Sequence, residues 1–320
     1  MLYVESDVYN MDFWMLPKLE YTNYQIIPIQ DYRKVKEILS STNDHVVTGL
    51  ATVEIPKEIV DFNQAINFAQ EKLDRLSCVI SFAQGRNVYF QRFTCYQIVN
   101  GIRENKMTQY PSMRVGKSRG GLNVYPDGLE KFINIVMPKL ENEEFNKKTG
   151  VYFAIQWYNE AQNLNVVEIK YPVLWIAMEL IANFYCKQNP HEFFLPRAEW
   201  KSLNAEVNTL LDRLSIQDRE KRKRIINALG YAQQGFITDR IGYLLSGYGL
   251  SQYIPELPEM NQIRNDIMHG RKLDYSQNRP IDLMLKLERL LLKLIFKILD
   301  VYNQRFIHSA IQNDNLRADH

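Results

Sequence analysis

Residues 171–188 read YPVLWIAMELIANFYCKQ. Wound at 100° per residue, Val173, Leu174, Trp175, Ile176, Met178, Leu180, Ile181 and Phe184 cover nearly the whole circumference of a helix, and Glu179, Asn183 and Lys187 leave one polar seam. A helix that is apolar almost all round is buried, so this one is expected at the centre of a helical bundle. Glu179 and Asn183 interrupt the apolar run before it reaches the ~18 residues a membrane span needs, so no membrane partner is expected.

Helical periodicity continues on both sides. Helices are expected at 148–162, 198–214, 216–229, 238–247, 258–269 and 281–306. In the last, Met284, Leu287, Leu291, Leu294, Ile298 and Val301 recur at alternating spacings of 3 and 4, opposite a polar stripe of Lys286, Arg289, Lys293, Lys297 and Asp300. Before residue 145 the composition changes. Residues 24–29, 46–55 and 87–98 are rich in β-branched and aromatic residues and read as strands. Within the last, Val88, Phe90, Arg92 and Thr94 alternate with Tyr89, Gln91, Phe93 and Cys95. Residues 61–83 form an amphipathic helix with Asp61 as N-cap, 109–128 a loop rich in glycine and proline, and 129–140 a further helix. The expected class is α+β: a mixed α/β region over 1–144, an all-α bundle over 145–310 and a polar tail over 311–320. No internal repeat is evident.

The 320 residues are 46% hydrophobic and 24% charged, which excludes an intrinsically disordered chain. A formal net charge of +2 leaves any polyanion to be held by a local basic patch. Cys78, Cys95 and Cys186 are widely spaced in apolar or aromatic surroundings, which suits reduced packing residues, and no convincing Cys/His cluster suggests a metal site. Met1 to Asn10 carry Glu5 and Asp7 and no apolar run, so a secretory signal is not expected and a cytoplasmic location is.

Two basic features stand out. Residues 111–118, PSMRVGKS, end like a phosphate-binding P-loop, but Pro111 stands where the first glycine belongs, and Arg119, Gly120 and Gly121 stand where a helix should start. Without that helix N-terminus the phosphate-binding mechanism is missing. Arg114, Lys117 and Arg119 remain as candidate RNA contacts. The second is Arg219, Lys221, Arg222, Lys223 and Arg224 on a short helix, of which Arg222 and Lys223 are the candidate RNA contacts. Standing alone, that run reads more readily as a solvated helix face. Over 199–305 there are 17 Lys and Arg against 13 Asp and Glu, a modest positive excess.

The richest string is 263–271, IRNDIMHGR. Met260, Ile263 and Ile267 supply an apolar helix face, and Gly270 sits where a C-cap glycine belongs, which puts His269 in the last turn. There the helix dipole favours an imidazolium, and a histidine can act as acid or base. Asn265, four residues earlier, shares its face, and Arg264 can bend towards the same edge. Guanidinium, amide and imidazole can thus line one anion-binding rim, with Arg271 and Lys272 just beyond it as further RNA contacts. A capped helix whose histidine merely satisfies terminal carbonyls is the plain structural alternative.

Arg264, Asn265 and His269 match the R-x4-6-H motif of the HEPN superfamily, with the polar residue that often follows the arginine. Together with WIAMELIANFY around Glu179 and the leucine-rich closing helix, the string resembles the ApeA-type HEPN domain over about 145–306. Residues 1–144, with SFAQGR at 81–86, resemble more loosely the variable region that precedes that domain. The resemblance implies a helical bundle, a homodimer whose two motifs meet across the interface, and metal-independent endoribonuclease activity without a cofactor, in a defence or stress response. In that chemistry His269 moves the proton, Arg264 neutralises phosphate charge and Asn265 holds a phosphate oxygen or orients the histidine. Glu179, in the polar seam, is the candidate supporting partner of Arg264. The alternative is a noncatalytic dimeric module that binds RNA, nucleotide or a protein through the same rim.

Overall fold

The computed structural model describes residues 1–13, 16–29, 32–41, 46–111, 122–191, 193, 195–214, 218–233, 235–276 and 278–312. Its N-terminal part is a six-stranded antiparallel sheet of β1 (Leu2–Tyr9), β2 (Leu19–Tyr21), β3 (Tyr24–Pro28), β4 (Val47–Glu54), β5 (Tyr89–Val99) and β6 (Ile102–Gln109), ordered β2-β3-β4-β1-β5-β6. β1 takes an inner position between β4 and β5. Val4, Ser6 and Val8 point inward, and the Ser6 hydroxyl donates to the Gln91 carbonyl at 2.7 Å. Glu5, Ser6 and Asp7 interrupt its apolar residues, so it does not stand out as an apolar run, and β1, β2 and β6 all add to the three strands expected from sequence.

β5 corrects the expected strict alternation. Arg92 has φ +55°, and the register of β1 against β5 shifts between Glu5 and Asp7. This bulge moves the inward phase by one residue, so Val88, Phe90, Phe93 and Cys95 all join the core. Tyr89 and Tyr96 instead stack on Tyr9 and Tyr3.

The helices are α1 (Tyr32–Ser41), α2 (Phe62–Gln84), α3 (Leu129–Glu141), α4 (Glu143–Thr149), α5 (Val151–Gln162), α6 (Val167–Gln188), α7 (Arg197–Arg213), α8 (Arg219–Gln233), α9 (Ile237–Gly247), α10 (Leu257–Met268), α11 (Arg279–Ile298) and α12 (Ser309–Gln312). Asp61 caps α2 by accepting from the Gln64 amide at 2.8 Å. The helix expected over 148–162 is broken at Gly150, whose φ of +66° ends α4 and starts α5. A Cβ there would meet Phe184 and Leu180 of α6, so glycine serves both the turn and the close helix approach.

α6 is central as expected: α4, α5, α9, α10 and α11 all pack on it. It begins at Val167, earlier than the apolar run suggests, with Pro172 inside its first turns. The closing helix corrects two expectations. It ends at Ile298 rather than 306, because Asp300 adopts φ +55° and the Val301 amide turns back to the Phe296 carbonyl at 2.9 Å. Lys293, expected on a solvated stripe, is 2% exposed and donates to the Tyr253 hydroxyl at 2.9 Å.

One continuous core joins the sheet region to the helices. Phe82 of α2 meets Tyr158 of α5 and Phe296 of α11, and Phe132 of α3 meets Phe296 and Phe306. The 144/145 boundary falls inside α4. Ile311 at the start of the expected tail is buried, and 313–320 lie outside the described residues. Among the described residues no helix is long and apolar enough to cross a membrane. All three cysteines are free thiols, Cys78 and Cys95 buried and Cys186 half-buried.

Candidate active site

α10 delivers Arg264, Asn265 and His269 from one short helix, and its end is set locally. His269 is the C-cap and Gly270 follows with φ +66°. The Gly270 amide donates to the Ile267 carbonyl at 3.0 Å and the Arg271 amide to the Asp266 carbonyl at 2.8 Å, the two bonds of a Schellman closure. The imidazole therefore stands at the C-terminal end of α10. His269 is exposed, and among the described residues its ring makes no hydrogen bond or ion pair.

α6 anchors α10 at two levels. The buried Tyr171 hydroxyl donates to the Met260 carbonyl at 2.9 Å. Further along, Glu179 Oε1 lies 3.6 Å from Arg264 Nη2 and accepts from Trp175 Nε1 at 2.7 Å. Trp175 is fully buried, so Glu179 meets the indole N–H and the guanidinium at the edge of the core. Arg264 Nη1 donates to Asn265 Oδ1 at 3.0 Å. The Asn265 carboxamide oxygen thus orients the arginine. Its Nδ2 keeps two donors for a ligand.

Asp266 is a neighbour the sequence reading missed. It accepts from Gln262 Nε2 at 2.8 Å and Arg271 Nη1 at 2.9 Å. The Gln262 hydrogen bond first, then the bond and charge of Arg271 and the nearby His269, hold its carboxyl below the usual value. Trp175 and Asp266 were both findable: each stands four residues from a partner on the same helix face, Trp175 from Glu179 and Asp266 from Gln262. Beyond α10, the Tyr275 hydroxyl donates to Glu168 Oε1 at 2.6 Å, and Arg279 grips Glu259 with two donors, tying the following loop to α6 and α10.

The candidate RNA contacts do not converge equally. Arg271 and Lys272 are exposed next to His269, with Arg271 partly engaged by Asp266. Arg222 pairs with Asp212 at 2.7 Å and reaches the Asn208 carbonyl at 3.5 Å, so it clasps α8 to α7, while Lys223 stays exposed. Arg114, Lys117 and Arg119 lie outside the described residues. Among the described residues no group of three or more His, Cys, Asp or Glu side chains is placed to hold a metal ion. Comparison with known proteins finds no family model, no curated protein and no solved structure that matches this chain, so the HEPN resemblance rests on the motif residues and their setting alone.

Proposed function

We propose that the chain is an endoribonuclease that works without a metal, through a composite site made by two copies of α10. The observation that carries this reading is that one helix end holds both an exposed imidazole, whose ring makes no hydrogen bond among the described residues, and, one turn earlier, an arginine braced by Glu179 and Asn265. A proton carrier that must enter and leave a substrate has to be unengaged, and a guanidinium that stabilises phosphate charge has to be preorganised.

In the proposed reaction one His269 takes the proton from a ribose 2′-OH as that oxygen attacks phosphorus. The bond to the 5′-oxygen breaks, leaving a 2′,3′-cyclic phosphate, and a second His269 gives the leaving oxygen its proton. Each chain has one motif, so a twofold homodimer supplies the acid and the base together. An apolar stripe on α6 supports a second copy near the site: Ile169 and Ile176 are 52% and 40% exposed, with half-buried Val173 between them. Met268, beside His269, is 59% exposed. The deciding experiment incubates purified wild type and His269→Ala with structured and single-stranded RNAs in EDTA. Cleavage by wild type alone, ending in 2′,3′-cyclic phosphate, is expected. A well-folded His269→Ala that cuts at the wild-type rate refutes the assignment. No cleavage by either protein with retained RNA binding favours the noncatalytic module.

A further inference from the structure

A groove of about 630 Å³ runs between α2 and α5, sharing no lining residue with the Arg264–Glu179 site. Its α5 wall carries Phe153, Trp157 and Glu160, spaced i, i+4 and i+7 and therefore on one helix face. Phe153 is 49% and Trp157 39% exposed, large apolar area to leave in water on adjacent turns. Among the described residues neither the Trp157 indole N–H nor the Glu160 carboxylate has a hydrogen-bond or ionic partner. The α2 wall carries Glu71, Asp74 and Arg75.

The chemistry of this lining is specific in sign. Three carboxylates face one guanidinium, in a chain whose formal net charge is +2. The groove already shows what it accommodates: Arg75 lies 5.6 Å from the Tyr152 ring centroid and 3.8 Å from Glu71 Oε1. A guanidinium over an aromatic face beside a carboxylate is a favourable combination, and Trp157 with Glu160 offers the same pair of groups unoccupied. Phosphate is repelled by such a rim. Along α2 the lining runs from Glu71 to Ser81, a rise of about 15 Å at 1.5 Å per residue. That length matches about four to five residues of extended chain.

We propose that the α2–α5 groove is a docking site for a short, extended, arginine-bearing peptide segment of a partner protein. One arginine side chain stacks on Trp157 and pairs with Glu160, and the peptide backbone runs along the groove towards Asn87. The inference is independent of the endoribonuclease reading.

The test is fluorescence anisotropy of a labelled pentapeptide alternating alanine and arginine, with citrulline and glutamate versions as controls, against wild type, Trp157→Ala, Glu160→Gln and the double variant. Circular dichroism checks that each variant is folded. Wild type is expected to bind the arginine peptide saturably and in a salt-dependent manner. Trp157→Ala should weaken it by about fivefold or more, Glu160→Gln should reduce the salt dependence, and the uncharged citrulline peptide should bind far less. No saturable binding by wild type up to about 1 mM, equal binding of the citrulline peptide, or undiminished binding by a folded double variant overturns the proposal. Loss of RNA affinity rather than peptide affinity in Trp157→Ala also overturns it, by giving the groove to nucleic acid.

Discussion

Glu179 Oε1 stands 3.6 Å from Arg264 Nη2, joining the polar seam of the central helix to the motif helix. The same oxygen accepts the N–H of fully buried Trp175, so one carboxylate serves both the fold and the site. Glu179→Ala strands the indole N–H and should cost about 1–3 kcal/mol, read from the urea midpoint. Glu179→Gln keeps an acceptor for Trp175 and should cost clearly less. Equal losses in the two variants would show that the indole bond carries none of the effect.

The proposed reaction gives Arg264 and His269 separable roles. His269→Ala should abolish RNA cleavage with little change in RNA affinity. Arg264→Ala should lower the cleavage rate by about 10² or more and flatten the salt dependence of binding, because a phosphate contact goes with it. Rapid-quench kinetics and binding titrations at several salt concentrations distinguish the two, and a well-folded Arg264→Ala with unchanged rate and slope contradicts the assignment.

Gly270 sets the end of α10 with a left-handed backbone, and a Cβ there would meet no atom within 4 Å. Gly270→Ala therefore isolates the conformational term, expected at about 1–2 kcal/mol. Because the turn fixes the place of His269, cleavage should fall even where the variant is fully folded. An unchanged melting temperature would mean the closure is not strained by a side chain.

The proposed dimer face on α6 makes a separate prediction. Ile169→Glu with Ile176→Glu places charge on exposed positions and should leave the monomer folded. Sedimentation should shift from dimer to monomer, and cleavage should vanish with it. A double variant that stays dimeric and active moves the interface elsewhere.

The Tyr275–Glu168 tether should depend on pH at both ends. The hydroxyl's hydrogen bond is the main cause that holds the Glu168 carboxyl below its usual value. Burial first, and then the bond to Glu168 and its charge, push the Tyr275 phenol up to about 12. A lowered carboxyl adds stability above its unfolded pKa that is lost as pH falls through the folded one. A raised phenol adds stability below its unfolded pKa that is lost as pH climbs towards the folded one. Both groups are largely solvent-facing, so the effect is local to the loop. Tyr275→Phe should return Glu168 towards its usual titration, seen by carboxyl ¹³C NMR, and remove a tyrosine that ionises late. A Glu168 curve unchanged by the substitution rules the tether out.

What the sequence determined by itself follows from local rules. The largely apolar circumference of 171–188 placed α6 at the centre, where α4, α5, α9, α10 and α11 pack on it, because most of such a surface has to be hidden from water. Asp61 and Gly270 marked helix ends because capping uses atoms within a few residues. The motif spacing brought Arg264, Asn265 and His269 to one helix end for the same reason. Tertiary structure alone decided the inner position of β1, since a short strand interrupted by Glu5, Ser6 and Asp7 is recognised by its neighbours, not by its own pattern. It decided the phase slip at Arg92 and the burial of Lys293 against Tyr253, which depend on what packs opposite. Above all it decided that Glu179, from sequence only a candidate partner, comes within 3.6 Å of Arg264, because a contact between helices far apart in the chain is set by how they pack, and helical periodicity carries no information about that.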